Sequence, residues 1–278
     1  IYGGFIGTES SLSQRNFRSN PTNIRNRVRF VMNSVSSATV IDGLVLMPGI
    51  GDYLNETPQI AVDAEFGNSS PIIRNCKVTG KGVTYSYAIQ TSSANGYRCS
   101  PTFINCQLIQ NERRWLISNY AIGTNSINNA TYINCLYANN SVWSGPDNRA
   151  FDGGTTNTNY INCTIAANDF IFSNASFLND NTAIGPMGTM GAVQTTLKNC
   201  IVWGNTYQGN PATISNIGTA SSEVQYSDME GGYAGTGKSF LLQTLLGIEE
   251  HNFTITATNN KPTKVLAKIL GRPASTVY

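Results

Sequence analysis

Five times along this chain an apolar residue stands two positions before an Asn-Cys pair, and another apolar residue stands two positions after the cysteine. The copies are Ile73-Arg74-Asn75-Cys76-Lys77-Val78, Phe103-Ile104-Asn105-Cys106-Gln107-Leu108, Tyr132-Ile133-Asn134-Cys135-Leu136-Tyr137, Tyr160-Ile161-Asn162-Cys163-Thr164-Ile165 and Leu197-Lys198-Asn199-Cys200-Ile201-Val202. Within each copy the cysteine and the second apolar residue share a strand face, because strand side chains alternate with period two. The first apolar residue is out of phase with them. The chain must therefore turn a corner in between, and Asn, which tolerates the left-handed backbone region, sits at that corner.

The cysteines are spaced by 30, 29, 28 and 37 residues, inside the range of solenoid repeats. Together with the corner, the spacing predicts an all-β, single-stranded right-handed parallel β-helix over residues 1–237, with 238–278 as a C-terminal cap or linker. A cap is expected because an open end exposes unpaired strand edges. A looser signature pairs Ala with an apolar neighbour at Ala88-Ile89, Ala121-Ile122, Ala150-Phe151 and Ala192-Val193, and predicts a second strand in each coil. Periods near 29 leave room for loops, expected at Ser92 to Gly96, Ser141 to Asn148 and Asn174 to Gly191, where specificity would reside. Side chains stacked on one sheet face point alongside each other, so the repeat cysteines read as free buried thiols. Cys99, outside the repeat, is the candidate for a disulfide.

Of 278 residues only 12% are charged, against about a quarter in an ordinary globular domain, so Asn, Ser, Thr and Gly must solvate the surface. That composition suits strands and turns better than helices. A net charge of +2, with no sustained basic run beyond a loose Arg15 to Arg29 cluster and the tail from Lys261 to Arg272, argues against a nucleic-acid partner, and no apolar run is long enough for a membrane helix. No Cys-x-x-Cys pair occurs and His251 is the single histidine, so no metal or cofactor is implied.

Ile1-Tyr2-Gly3-Gly4-Phe5-Ile6-Gly7-Thr8-Glu9, with Arg15-Asn16 after it, resembles the opening motif of bacterial parallel β-helix surface proteins with polymorphic outer-membrane-protein-like repeats. The Asn-Cys coils, Ile41-Asp42-Gly43-Leu44, and the late coil Val224-Gln225-Tyr226-Ser227-Asp228-Met229 resemble the same group, which spans about residues 1–237. Phe240-Leu241-Leu242-Gln243 departs from its pattern. The resemblance implies a secreted or outer-membrane-associated surface protein with a structural, adhesive or assembly role, meeting a surface protein or a glycan. The chain reads as a piece of a longer polypeptide or assembly.

A polysaccharide lyase or hydrolase is the alternative, because the same architecture hosts such enzymes. It would need paired carboxylates about 5 to 10 Å apart, or an acidic calcium cluster. No acidic cluster recurs at coil spacing, and no catalytic residue is assigned. Asp152, in Phe151-Asp152-Gly153-Gly154, is the best single carboxylate if its glycines admit a ligand, but turn formation explains it more simply. Asp63 and Glu65 share a face and read as solvated. Arg113, Arg114, Trp115 and Trp143 are candidates for binding a sugar acid or stacking on a ring; Trp203 reads as core.

Overall fold

The computed structural model describes residues 1–25, 27–30, 34–48, 58–80, 87–170, 182–207, 209–214, 217–230, 256–257 and 275–276. The chain is a parallel β-helix, a solenoid in which each coil lays its strands directly on those of the coil before. The first sheet stacks Val40–Asp42, Ile72–Arg74, Thr102–Ile104, Thr131–Ile133 and residues 159–161, 196–198 and 223–225. After the corner, the second stacks Thr22–Arg25, Leu44–Met47, Lys77–Gly80, residues 107–109, Leu136–Ala138, Thr164–Ala166, Ile201–Trp203 and Asp228–Met229. A third holds Val28–Phe30, Ile60–Ala64, Tyr87–Ser93, residues 115–122, Asp147–Phe151 and residues 185–189. Among the described residues the single helical piece is a 3-10 turn at Leu12–Gln14, and no helix is long and apolar enough to cross a membrane.

The corner forms as the repeat predicts. Asn75, Asn105, Asn134, Asn162 and Asn199 each have φ of 53°, and each donates its backbone N–H to the next rung, as in Asn105 N to Ile133 O at 2.9 Å. The flanking residues then point inward. Phe103, Tyr132 and Tyr160 stack face to face at 4.8 and 5.2 Å, with Tyr137 edge-on to two of them. Each such ring pair adds about 0.5–1.5 kcal/mol beyond its burial.

All six cysteines are buried and free. In the repeat, each Sγ from Cys106 onward donates to a carbonyl one coil back, as from Cys163 to Tyr132 O at 3.4 Å and from Cys200 to Tyr160 O at 3.3 Å. Burial pushes the Cys76 thiol up to about 11. Cys99, whose pairing the sequence left open, is free too. It lies in a narrow fourth ladder with Ser69 and Asn128 and donates to Val62 O at 3.3 Å, with no cysteine as its neighbour.

A second corner, five residues after each cysteine from Cys106 onward, carries a ladder that the repeat did not reveal. Asn111, Asn140, Asn168 and Asn205 are fully buried, each following a residue of positive φ. Asn140 Oδ1 accepts from the backbone and side-chain N–H of Asn111 at 3.0 and 2.8 Å, while Asn140 Nδ2 donates to Leu108 O at 2.9 Å and Asn168 Oδ1 at 2.7 Å. The pattern repeats from Asn140 to Asn168 and from Asn168 to Asn205. Every rung thus satisfies buried backbone groups that the corner would otherwise strand.

Residues 1–21 fold over the first coil and give the opening motif a physical reading. A Cβ at Gly3 would lie 2.3 Å from Gly43 O, and Gly4 has φ of 94° against the Phe17 backbone. Arg15 sits between the Tyr2 and Phe17 rings and pairs with Asp42, which also takes Arg74 and an Asn75 hydrogen bond. Burial alone would raise the Asp42 pKa, but these partners outweigh it and hold the carboxyl below its ordinary value.

Two expectations are corrected. Ser141 to Asn148 is not a loop but two strands, Ser141–Ser144 and Asp147–Phe151, joined by a bend, and Gly191 lies within the strand Thr182–Lys198. Their pairing is set by the backbone register of neighbouring coils, which no apolar-polar alternation in these segments marks. The Ala pairs do lie in strands as expected, Ala88-Ile89 in Tyr87–Ser93, Ala121-Ile122 in Gln107–Ile122, Ala150-Phe151 in Asp147–Phe151 and Ala192-Val193 in Thr182–Lys198, with Ala121 opposite Ala150 but Ala192 opposite Thr155. Trp203 is 47% exposed rather than core, since Val202 takes the inward position. The cap or linker at 238–278 lies outside the described residues, apart from a parallel pairing of Thr256–Ala257 with Ser275–Thr276.

Candidate functional site

The coil register brings four of the five sequence candidates together. Arg113 lies opposite Val142 and Trp115 opposite Ser144, so Arg114 and Trp143 fall on adjacent rungs between those pairs. All four stand where the chain bends from the second sheet into the third.

Asp152 stands apart from them. It is exposed in a two-residue turn, with φ of 51° at Asp152 and 82° at Gly153, closed by Gly154 N donating to Phe151 O at 2.9 Å. Positive φ at both central positions is the geometry that Asp-Gly supplies. The neighbouring glycines serve coil contact rather than ligand entry: a Cβ at Gly154 would lie 2.8 Å from Ala121 O, and one at Gly191 2.8 Å from Gly154 O.

Around Trp115 the outer face of the third sheet carries the chemistry. The Trp115 ring stacks on Tyr87 with centroids 4.7 Å apart and planes 7° off parallel. The Arg149 guanidinium lies 6.0 Å from the Trp115 centroid and pairs with Asp147. Arg149 is in register with Tyr120, and Tyr120 with Ser92; Ser92 Oγ donates to Asp63 Oδ1 at 2.7 Å, and Arg29 Nε to Asp63 Oδ2 at 2.8 Å. Asp63 is therefore buried and ion-paired, not solvated as its sequence position suggested.

The electrostatics follow from burial and pairing. Burial raises the Asp147 carboxyl while Arg149 beside it pulls the other way. Burial lowers the Arg149 guanidinium, and the charge of Asp147 more than restores it. The Asp63 hydrogen bond raises Arg29. Asp63 and Asp147 stand three rungs apart, about 14 Å at ~4.8 Å per rung. That exceeds the roughly 5 to 10 Å at which two carboxylates share acid and base work on a glycosidic bond. What the face offers is an aromatic platform beside a guanidinium already paired with Asp147, suited to stacking a ring.

Sequence reading missed Tyr87, Asp147 and Arg149. The Asp-Asn-Arg spacing does place Asp147 and Arg149 on one strand face, but only coil register sets them beside Trp115.

No family model, curated protein or solved structure matches this chain. The functional reading therefore rests on the site.

Proposed function

We propose that this chain is a rigid β-helix module of a secreted or cell-surface bacterial protein, with an adhesive or structural role. Its contacts to a glycan or surface-protein partner run through the face around Trp115. One observation carries the reading: the Tyr87–Trp115 platform and Arg149 are held on rigid rungs, while Asp63 and Asp147 of the same face are each paired with an arginine. The site is built to hold a ligand and not to cleave one. The opening motif lends support, because the residues that resemble β-helix surface proteins are those that build the cap over the first coil.

The test is a panel of neutral and acidic polysaccharides, following both retention and the release of reducing or unsaturated ends. Retention of at least one neutral polysaccharide by the intact protein, lost in Trp115→Ala and without new chain ends, is the expected result. Chain cleavage would replace this reading with a polysaccharide-degrading enzyme.

A further inference from the structure

The corner between the first and second sheets holds a second concavity, remote from Trp115 along the coil. It encloses about 710 Å³ and runs across four rungs, from Gly43 and Leu44 past Asn75 and Asn105 to Asn134, with Phe17, Arg18 and Pro21 of the N-terminal cap along one side. Four rungs span about 14 Å along the helix axis.

The corner amides hydrogen-bond up the column at some steps; the step from Asn105 to Asn134, inside this groove, and the step from Asn162 to Asn199, outside it, lack such a bond. Asn75 Nδ2 donates to Asp42 Oδ1 at 2.8 Å, Asn105 Nδ2 to Asn75 Oδ1 at 3.3 Å, and Asn162 Nδ2 to Asn134 Oδ1 at 3.2 Å. Between Asn105 and Asn134 the chain of amides breaks. The Asn105 carbonyl oxygen and the Asn134 amide N–H are exposed and unspent, an acceptor and a donor on successive rungs. Lys77 and Arg18 line the same groove without a carboxylate partner among the described residues, and no acidic residue lines it. Asp42, beneath, is already neutralised by Arg15 and Arg74.

We infer that this groove binds a linear glycan bearing carboxylates, a uronic-acid polymer, laid along the helix axis. Lys77 and Arg18 hold the carboxylates, and the Asn105 and Asn134 amides meet hydroxyls, for which a paired donor and acceptor are suited. The groove deepens the adhesive reading by naming a ligand class, yet it shares no residue with the Trp115 face.

Binding of the full chain to polygalacturonate oligomers, measured by calorimetry at low salt, tests the inference. The expected result is saturable binding that weakens with added salt and falls at least about tenfold in Lys77→Ala/Arg18→Ala. Asn105→Gly/Asn134→Gly, which keeps the positive φ while removing both amides, should lose affinity as well. Trp115→Ala should bind polygalacturonate as the parent does, so failure of the Trp115 face and failure of the groove read out separately. No binding, equal binding of a methyl-esterified oligomer, equal displacement by single-stranded DNA, or unchanged affinity in Lys77→Ala/Arg18→Ala would each overturn it. Both double variants change exposed or half-buried side chains, and a circular-dichroism melt matching the parent confirms that they fold.

Discussion

The two sides of the solenoid are built from the same coils by different rules. Along the corner between the first and second sheets each rung repeats the one before: Asn at the same φ, Cys on the same carbonyl, a ring or an aliphatic chain in the same place. Along the third sheet the residue changes at every rung, so that Ser92, Tyr120 and Arg149 share one column. Repetition lets each side chain satisfy its twin one coil away, as the buried Asn ladder does. Variation frees side chains to meet something other than the next coil, and there the aromatic and charged groups accumulate.

The sharpest way to break this comparison is to hollow out the repetitive side. Tyr132→Ala removes the middle ring of the stack and should cost about 3–5 kcal/mol, read as a lower urea midpoint. Asn140→Ala follows, at about 3 kcal/mol, because it strands the buried Asn111 N–H and Leu108 carbonyl. The exposed corner gives a contrast of the same residue type. Asn134→Ala should cost only about 1–2 kcal/mol, the left-handed backbone penalty, and Asn134→Gly close to none.

Alkaline titration probes the buried thiols. The Cys76 thiol is pushed up from its ordinary 9.0 to about 11 in the folded chain. Between those values the unfolded chain loses a proton that the folded chain keeps, so stability is full below pH 9 and falls as pH rises toward 11. A midpoint-versus-pH series checks this, and Cys76→Ala should flatten the slope. The smallest effect is expected on the variable side: Trp115→Ala forfeits its stack on Tyr87, about 1 kcal/mol.

How much of this was legible in the sequence divides along the same line. The corner was readable because its residues recur, and the period, the positive φ of Asn and the free thiols all follow from five copies of one motif. The second corner was equally repetitive, yet Gln110, Asn139, Ala167 and Gly204, which take the positive φ before the buried asparagines, differ in type and hide it. On the third sheet Trp115, Arg113, Arg114 and Trp143 stood out as residue types, but their companions Tyr87 and Arg149 are set by connection lengths that no local pattern encodes. Cys99 was left undecided for a related reason. Its column changes residue at each rung, so nothing in the sequence marked it as interior.

The central claim is that the buried ladders of the repetitive corners supply stability, while exposed side chains supply binding, the Trp115 face for one ligand and the corner groove for another. Its most direct test is to measure the urea midpoint and neutral-polysaccharide retention together on Asn140→Ala and Trp115→Ala. The account predicts a lowered midpoint with retention kept at a folded temperature for Asn140→Ala, and a near-parent midpoint with retention lost for Trp115→Ala. If Trp115→Ala retained the ligand, or if it unfolded as readily as Asn140→Ala, the division would be contradicted.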